Sequence, residues 1–395
     1  MKWSSTLSEA PSLELAVREA AEDLRAGLDG VRPDLVAAFV SEHYAKDYEA
    51  LPRLLRKEMG DVLLVGCSGG GVIGGGREAE KRPGLSLTAG VLPGVEIVPF
   101  HLESEDVPEP QAGQAVWEKF MGVPASQNPG FLVLPDPFSF DADRFLKGLD
   151  ATYPASPKVG GLASGGRGPE ANALYLGGRA YRSGAVGLAL TGDIAIDTVV
   201  AQGCRPIGNP MFVTRCRDNV VLELDGDSPA AVIQKLYGTL AGRDQELFRN
   251  ALFLGIVMKE AQSEYHQGDF LIRNLMGVDP QSGAIGLSAH VKENMVVQFH
   301  LRDAATSTED LNALLTRYKK DAAHASPQGS LLFSCLGRGL HLFGKPDHDT
   351  DLFRRHLGEI PLGGFFCNGE IGPVHGSTFL HGYTSSFGIF RKRSA

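Results

Sequence analysis

The residues best suited to chemistry lie in glycine-rich stretches that follow apolar runs. The stretch 66–70 reads Gly-Cys-Ser-Gly-Gly, which matches the G-x-S-x-G pattern of a hydrolase nucleophile elbow centred on Ser68. Such an elbow opens a helix, whereas the glycine-rich run 69–76 disfavours one, because each glycine inside a helix costs about 1 kcal/mol. The run 69–74 also fits the G-x-G-x-x-G pattern of dinucleotide-binding sites, which likewise requires a helix.

Cysteine and histidine side chains leave an enzyme as an alternative. A hydrolase or thiol enzyme would use Ser68 or Cys67, with His375 or His381 as its general base. The base must then lie within hydrogen-bond reach of the nucleophile, about 3 Å. A buried cysteine is more often a small apolar residue of the core. We therefore expect a protein that is not an enzyme, and keep this chemistry as the alternative.

A second glycine-rich stretch, 360–373, favours ligand binding. Cys367, Asn368 and Glu370 interrupt a run that is otherwise apolar. A carboxylate in such surroundings needs a partner, and Arg338, in the loop after the preceding strand, is the candidate. Glycine-rich loops at strand ends also leave backbone N–H groups open to a ligand. The predicted ligand-binding residues are Cys67, Ser68, Gly69, Gly70, Arg338, Cys367, Asn368, Glu370 and His381.

Composition and charge exclude several other classes of protein. The net charge is −9 and the pI is about 5.7, so the backbone of a nucleic acid would be repelled. No apolar run approaches the ~18 residues of a membrane span, and the N-terminus lacks the apolar segment of a signal peptide. The acidic run 347–351 resembles the start of a calcium loop but lacks its glycine and its final glutamate, so a helix N-terminus is the better interpretation. Since the five cysteines form no C-x-x-C pair and the histidines no H-x-x-x-H spacing, we predict a cytoplasmic protein without a metal site or cofactor.

One pattern of predicted elements occurs three times. A strand, a helix and a second strand that ends in a glycine-rich turn are predicted in 34–76, in 130–166 and in 329–373. Apparent hairpins with Pro-Gly, Gly-Gly or Asp-Pro turns lie between these units, and a leading helix is predicted over 13–28. The pattern predicts an α+β (mixed α/β) fold with two related halves, in which mixed, largely antiparallel sheets pack together and are covered by helices.

Two of the glycine-rich stretches resemble a known family. The run 65–74, Val-Gly-Cys-Ser-Gly-Gly-Gly-Val-Ile-Gly, resembles the signature of the FIST N-terminal domain. The short run 337–339 and the long stretches 363–373 and 378–385 resemble the FIST C-terminal domain. The resemblance divides the chain into an N-terminal helical extension (1–30), a FIST N-terminal domain (31–215), a FIST C-terminal domain (216–385) and a basic tail (386–395).

FIST stands for F-box and intracellular signal transduction proteins, and the resemblance implies paired domains that sense small ligands, with amino acids as one proposed class. The 30 residues before the first domain are too short for an F-box, and no kinase, cyclase or methyl-accepting segment follows Ala395. We therefore expect a stand-alone, bacterial-type member that binds a small molecule and signals through a partner protein. A protein–protein adaptor, as the F-box relatives suggest, is a further alternative. The family provides no catalytic residues to carry over.

Overall fold

Two compact units make up the chain in the computed structural model, which describes residues 1–259, 262–321 and 326–393. Of the described residues, the first unit contains 1–200, 312–321, 326–380 and 384–393, and the second contains 201–259, 262–311 and 381–383. The last two residues of the predicted basic tail lie outside the described part of the chain. None of the described helices is both long and apolar enough to cross a membrane.

The elements are numbered in chain order. The strands are β1 Lys2–Ser8, β2 Leu35–Ser41, β3 Leu63–Gly69, β4 Gly71–Gly74, β5 Arg77–Glu80, β6 Leu85–Val91, β7 Val95–Leu102, β8 Gly130–Pro135, β9 Lys158–Gly161, β10 Leu174–Leu176, β11 Arg179–Tyr181, β12 Ala185–Gly192, β13 Ala195–Ala201, β14 Cys204–Arg217, β15 Val220–Leu224, β16 Leu252–Val257, β17 Phe270–Val278, β18 Ile285–Leu287, β19 Val296–Arg302, β20 Gly329–Cys335, β21 Leu362–Cys367, β22 Glu370–Val374, β23 Ser377–His381 and β24 Ser385–Arg391. The α-helices are α1 Leu13–Gly27, α2 Leu51–Met59, α3 Gln114–Met121, α4 Ala142–Thr152, α5 Pro229–Thr239, α6 Arg243–Asn250, α7 Ala304–Asp321, α8 Gly339–Phe343 and α9 His348–Leu357. Within the described residues, 3₁₀ helices span Glu42–Ala50, Ser104–Asp106 and Ala125–Gln127.

The predicted helical extension contains a strand as well as the expected helix. Helix α1 begins after Ser12, whose hydroxyl accepts a hydrogen bond from Leu15 N at 3.4 Å, and its apolar residues recur on one buried face. Strand β1 precedes it and pairs antiparallel with β6 along its whole length. Five of its seven residues are serine, threonine or lysine, so composition hides a strand that is held by Trp3 and Leu7, both buried.

Three six-stranded sheets form the first unit, and each is built around one parallel pair of strands. The pairs are β2 with β3, β8 with β9, and β20 with β21. The strand orders are β1-β6-β2-β3-β10-β11, β23-β22-β9-β8-β12-β7 and β13-β24-β20-β21-β4-β5. Each pair is one of the three repeats predicted from sequence, with helices α2, α4 or α9 in the crossover. The predicted α+β fold with mixed, largely antiparallel sheets is confirmed.

A cyclic exchange of strands joins the three sheets. The strand that follows the second member of each pair leaves its own sheet and pairs antiparallel in another one. Strand β4, after β3, pairs with β21; β10, after β9, pairs with β3; and β22, after β21, pairs with β9. The N-terminal and C-terminal parts of the chain therefore complete each other's sheets.

A glycine in the second strand of each pair allows the two strands to approach. A Cβ atom on Gly66, Gly160 or Gly364 would lie 1.8, 1.8 or 1.9 Å from a carbonyl oxygen of the neighbouring strand. The three carbonyls belong to Ala38, Val133 and Leu332. A side chain at any of these positions would push the paired strands apart.

The C-terminal segment is a core strand rather than the predicted tail. Strand β24 pairs antiparallel with β20, and its residues 385–390 are buried. Phe387 stacks on Phe353 of α9 with ring centroids 5.4 Å apart, and Phe390 stacks on Trp3 at 4.7 Å. The basic residues that suggested a tail follow this apolar run directly.

The second unit is a closed barrel of six strands in the order β14-β15-β18-β17-β16-β19. Closure removes the exposed edges that an open sheet would leave. Its interior is apolar and includes Leu254, Val297, Phe299 and Leu301. Ser228 caps helix α5, since its hydroxyl accepts a hydrogen bond from Ala231 N at 3.4 Å.

Candidate functional site

The glycine-rich turns of the three repeats meet at the carboxyl ends of β3, β9 and β21. Ser164 N donates to Ser68 O (3.1 Å), and Asn368 N donates to Leu162 O (3.2 Å). The first and third turns are joined through the hydroxyl of Ser164. Gly70 N donates to Ser164 Oγ (2.9 Å), and Ser164 Oγ donates to Phe366 O (2.5 Å). We call these segments, 68–70, 162–165 and 366–369, the junction.

The junction uses its backbone donors internally. Three of the N–H groups that could have held an anion, those of Gly70, Ser164 and Asn368, each donate to a protein acceptor. Gly70 is also covered by Leu336, whose Cδ2 lies 2.5 Å from the position of a Cβ at residue 70. The junction is therefore a packed hub, with the Asn368 side chain exposed at its surface.

Ser68 is a structural residue of this hub. Its hydroxyl donates to Ser164 O (3.1 Å) and accepts from Ala173 N (3.1 Å), and the side chain is fully buried. Strand β3 is followed by strand β4, so Ser68 does not sit on the strand-to-helix turn of a nucleophile elbow. Sequence reasoning missed Ser164 and Asn172, which hold this region together, because isolated polar residues in a loop carry no spacing signal.

The two junction cysteines are buried thiols. Burial raises the pKa of Cys67 well above its ordinary value. Burial, and then the nearby Glu370 carboxyl, raise the pKa of Cys367 in the same direction. Both are therefore thiols at neutral pH, and a thiol is a poor nucleophile.

Arg338 forms a buried ion pair with Asp349 of α9. Its Nε and Nη2 atoms donate to the two carboxylate oxygens at 2.9 Å each, which is a bidentate pair. The carboxylate predicted to pair with Arg338 is Glu370, but the structure gives that role to Asp349. Glu370 is fully buried and accepts a hydrogen bond from Thr384 N at 2.9 Å. His381, at the end of β23, is buried as well.

Further polar side chains contact the Asp349 carboxylate. Ser385 Oγ donates to it at 2.5 Å, Ser334 Oγ at 3.2 Å, and His348 Nδ1 lies 2.9 Å away. Burial acts to raise the pKa of Asp349, but the Arg338 guanidinium and these hydrogen bonds hold it well below its ordinary value. The acidic run at the start of α9 is thus an ionic anchor, as well as the helix N-terminus predicted from sequence.

Glu78 of β5 meets the same helix. Its Oε1 accepts hydrogen bonds from Asp349 N and Thr350 N, both at 3.0 Å. Burial, followed by the negative charge of Asp349, raises the pKa of Glu78 from 4.5 to about 8. Glu78 therefore holds a proton in the folded protein at neutral pH.

Glu78→Gln is expected to flatten the pH dependence of stability. Because the folded-state pKa of Glu78 is raised, its stabilisation is fully present below about pH 4.5 and is lost as the pH rises toward about 8. The free energy of unfolding of the wild type should fall by up to about 1.4 kcal/mol per pH unit from this group. Urea unfolding at several pH values between about 5 and 8 measures the slope, and Asp349 titrates below this window. Glu14→Gln, at an exposed position, is the control. If Glu78→Gln and the wild type show the same dependence of unfolding free energy on pH, the pKa of Glu78 is not raised in the folded protein.

A cavity of about 590 Å³ lies elsewhere in the first unit. Its charged and phenolic lining residues are Lys158, Asp197, Tyr318, Asp321 and Arg391. Arg391 Nε and Tyr318 Oη donate to Asp197 Oδ2 at 2.8 and 3.0 Å. The buried Lys158 pairs with Asp150 at 2.7 Å, and burial lowers its pKa while Asp150 opposes that shift. Sequence reasoning missed this cavity; Lys158, at the start of a buried strand, was the available signal.

Comparison with known proteins places the chain in a family. The FIST N domain matches residues 34–227 and the FIST C domain matches residues 229–373. The chain is 36% identical over 390 residues to the uncharacterised protein Rv0628c of Mycobacterium tuberculosis H37Rv, covering 99% of this chain and 100% of that protein. It is 33% identical to the uncharacterised protein Mb0898c of Mycobacterium bovis, covering 96% of each, and 31% identical to human F-box only protein 22 over 103 residues, 25% of each chain. The chain therefore belongs to the FIST family, whose domains are associated with signal transduction.

Proposed function

We propose that this protein is a sensory protein that binds a small ligand in the 590 Å³ cavity of the first unit. The observation that carries the proposal is the cavity itself, whose volume lies within the roughly 300–1,000 Å³ range of small-molecule sites. The packed junction, by contrast, uses its own donors. We assign the predicted residues of the junction a structural role, with Asn368 as the one exposed side chain among them.

The lining favours a ligand that carries both charges. Arg391 and Asp197, which pair with each other, and the exposed Asp321 bring both charges to one space, whereas Lys158 is buried against Asp150. An amino acid offers a carboxylate to Arg391 and an ammonium to the two aspartates, Asp197 and Asp321. Ser156 adds a hydroxyl group, a type of group that can both donate and accept a hydrogen bond, while the Thr378 hydroxyl donates to Asp150 at 2.8 Å. Amino acids are therefore our preferred class of ligand.

The walls of the cavity suggest how binding becomes a signal. Residues 154–158 and 196–198 belong to the FIST N match, while Pro373 ends the FIST C match and Thr378 and Arg391 follow it. A ligand that contacts both parts stabilises the strand exchange between them. We propose that a partner protein reads this stabilised state.

A cavity-filling substitution tests the proposal. Ala155 lines the cavity and is exposed, so Ala155→Trp fills the space without removing a charge. We expect an amino acid to raise the melting temperature of the wild type by a few degrees, since a ligand at 100 times its Kd stabilises by about 2.7 kcal/mol. Ala155→Trp should abolish the shift. Ala151→Trp, at an exposed position outside the lining, is the matched control.

The result separates the proposal from its alternatives. If none of the twenty amino acids changes the melting temperature, the proposed ligand class is wrong. If an amino acid acts equally on both tryptophan variants, it binds outside this cavity. A protein that binds a partner without any small molecule would instead be an adaptor, and turnover of an ester or amide that is lost in Ser68→Ala or Cys67→Ala would favour the enzyme alternative.

A further inference from the structure

Arg302, at the end of β19 in the barrel unit, has a buried guanidinium that makes no hydrogen bond. The residue is 9% exposed. Its Nε and Nη2 atoms are enclosed, and no acceptor for them exists within the structure's described ranges. Buried polar groups in proteins almost always have partners, and a buried charge without one is especially costly. This arrangement therefore calls for a partner anion.

The chemistry of that partner can be read from another arginine of the same chain. Arg338 uses the same edge of its guanidinium, Nε and Nη2, to hold both oxygens of Asp349 at 2.9 Å. This edge presents two parallel N–H groups, whose geometry matches a planar carboxylate. A carboxylate would therefore accept hydrogen bonds from Arg302 Nε and Nη2, as Asp349 does from the same two atoms of Arg338.

Aromatic rings and a paired strand of the second unit surround Arg302. Its guanidinium lies over the ring of Tyr383, 4.7 Å from the centroid, and Phe253 packs against that ring at 4.3 Å. Cys204 is its partner in the paired strand β14. Two residues before Cys204, the Nε2 of buried Gln202 is a further enclosed donor that lacks an acceptor among the described residues. The guanidinium of Arg302 therefore has the Tyr383 ring on one face, and strand β14 pairs with its own strand.

The neighbouring titratable groups, Asp303 and His300, do not neutralise the charge of Arg302. Asp303 accepts hydrogen bonds from Thr306 N and Thr306 Oγ1 at 3.0 and 2.9 Å, and it lies 3.5 Å from Arg205. His300, two residues away on β19, is neutral at pH 7, because burial lowers its pKa to about 4. Arg302 is therefore the positive charge that an anion would meet there.

We propose that Arg302 anchors a second binding site, in the barrel unit, for a small molecule with a carboxylate group. The carboxylate binds the Nε and Nη2 atoms of Arg302, above the Tyr383 ring. Because both donor atoms are enclosed, neighbouring side chains must move aside for the carboxylate to reach them, which favours a small molecule over a protein surface. This site goes beyond the proposed function, since it shares no residue with the cavity of the first unit.

Thermal unfolding with simple anions tests the proposal. The full-length protein is titrated with acetate and with succinate at constant ionic strength, with chloride as the reference and phosphate as the contrasting anion. We expect acetate or succinate to raise the melting temperature of the wild type in a saturable manner. Arg302→Met should abolish this shift, and Arg302→Lys, which keeps the charge but loses the fork, should weaken the apparent affinity at least tenfold.

Two further variants serve as controls for the Arg302 site. Arg249 also lies over a tyrosine ring, 5.4 Å from the centroid of Tyr237, but on the surface of the same unit, so Arg249→Met should respond like the wild type. Ala155→Trp should also respond normally, which separates this site from the cavity. The proposal is overturned if the carboxylates have no saturable effect, if phosphate alone stabilises the protein, or if folded Arg302→Met and Arg302→Lys both respond like the wild type.

Discussion

Asp349→Asn is expected to destabilise the protein by about 3–5 kcal/mol, the usual cost of removing one partner of a buried ion pair. The substitution removes the charge to which Arg338 is bound by two hydrogen bonds. It also weakens the acceptor of Ser385, which joins α9 to β24. Urea unfolding at pH 7, followed by far-UV circular dichroism, measures the loss.

Asp351→Asn is the matched control for this prediction. Asp351 lies two residues further along α9 and pairs with Arg354 at 2.7 Å, but that pair is partly exposed to solvent. Its removal should cost less than about 1 kcal/mol. The double variant Arg338→Met, Asp349→Leu should recover much of the lost stability, because two apolar residues can replace a buried pair. Equal effects of the two single substitutions would contradict the assigned role of Asp349.

Gly364→Ala should be the second severe substitution. The backbone of Gly364 has a φ of +145°, which side chains rarely adopt, and an added Cβ would lie 1.9 Å from Leu332 O in the paired strand. We expect a loss at or above the upper end of the roughly 1–3 kcal/mol that overpacking usually costs. Gly178→Ala is the control, since a Cβ there meets nothing within 4 Å, and it should stay within about 0.5 kcal/mol of the wild type. A mild effect of Gly364→Ala in chemical denaturation would show that β20 and β21 can separate without loss of packing.

The elements with strong local signals could be predicted from the sequence. The three repeats were visible because each parallel strand is an apolar run and each ends in glycine. Helix α1 was visible because its apolar residues recur at helical spacing. Strand β1 was missed, since its polar residues become buried only by pairing with β6.

Contacts between distant segments could not be predicted in the same way. Strands β4, β10 and β22 have only four, three and five residues, and nothing local specifies which sheet they join. The sequence identified Arg338 as a residue that needs an acidic partner but not the carboxylate it binds. The helix start predicted at 347–351 is correct, but it does not identify Asp349 as the partner of Arg338. The donors of Arg302 gave no signal, because an arginine at a strand end is normally solvated.

The exchange of β4 and β22 makes the two FIST domains of this chain mutually dependent for folding. A FIST N fragment on its own would keep β9 without its neighbour β22, and would leave the hairpin of β4 and β5 without β21. A FIST C fragment would lose β4 from the edge of β21. Each fragment would then expose unpaired strand edges, which are templates for aggregation. The two domains, although recognised separately in sequence, therefore depend on each other for complete sheets in this chain.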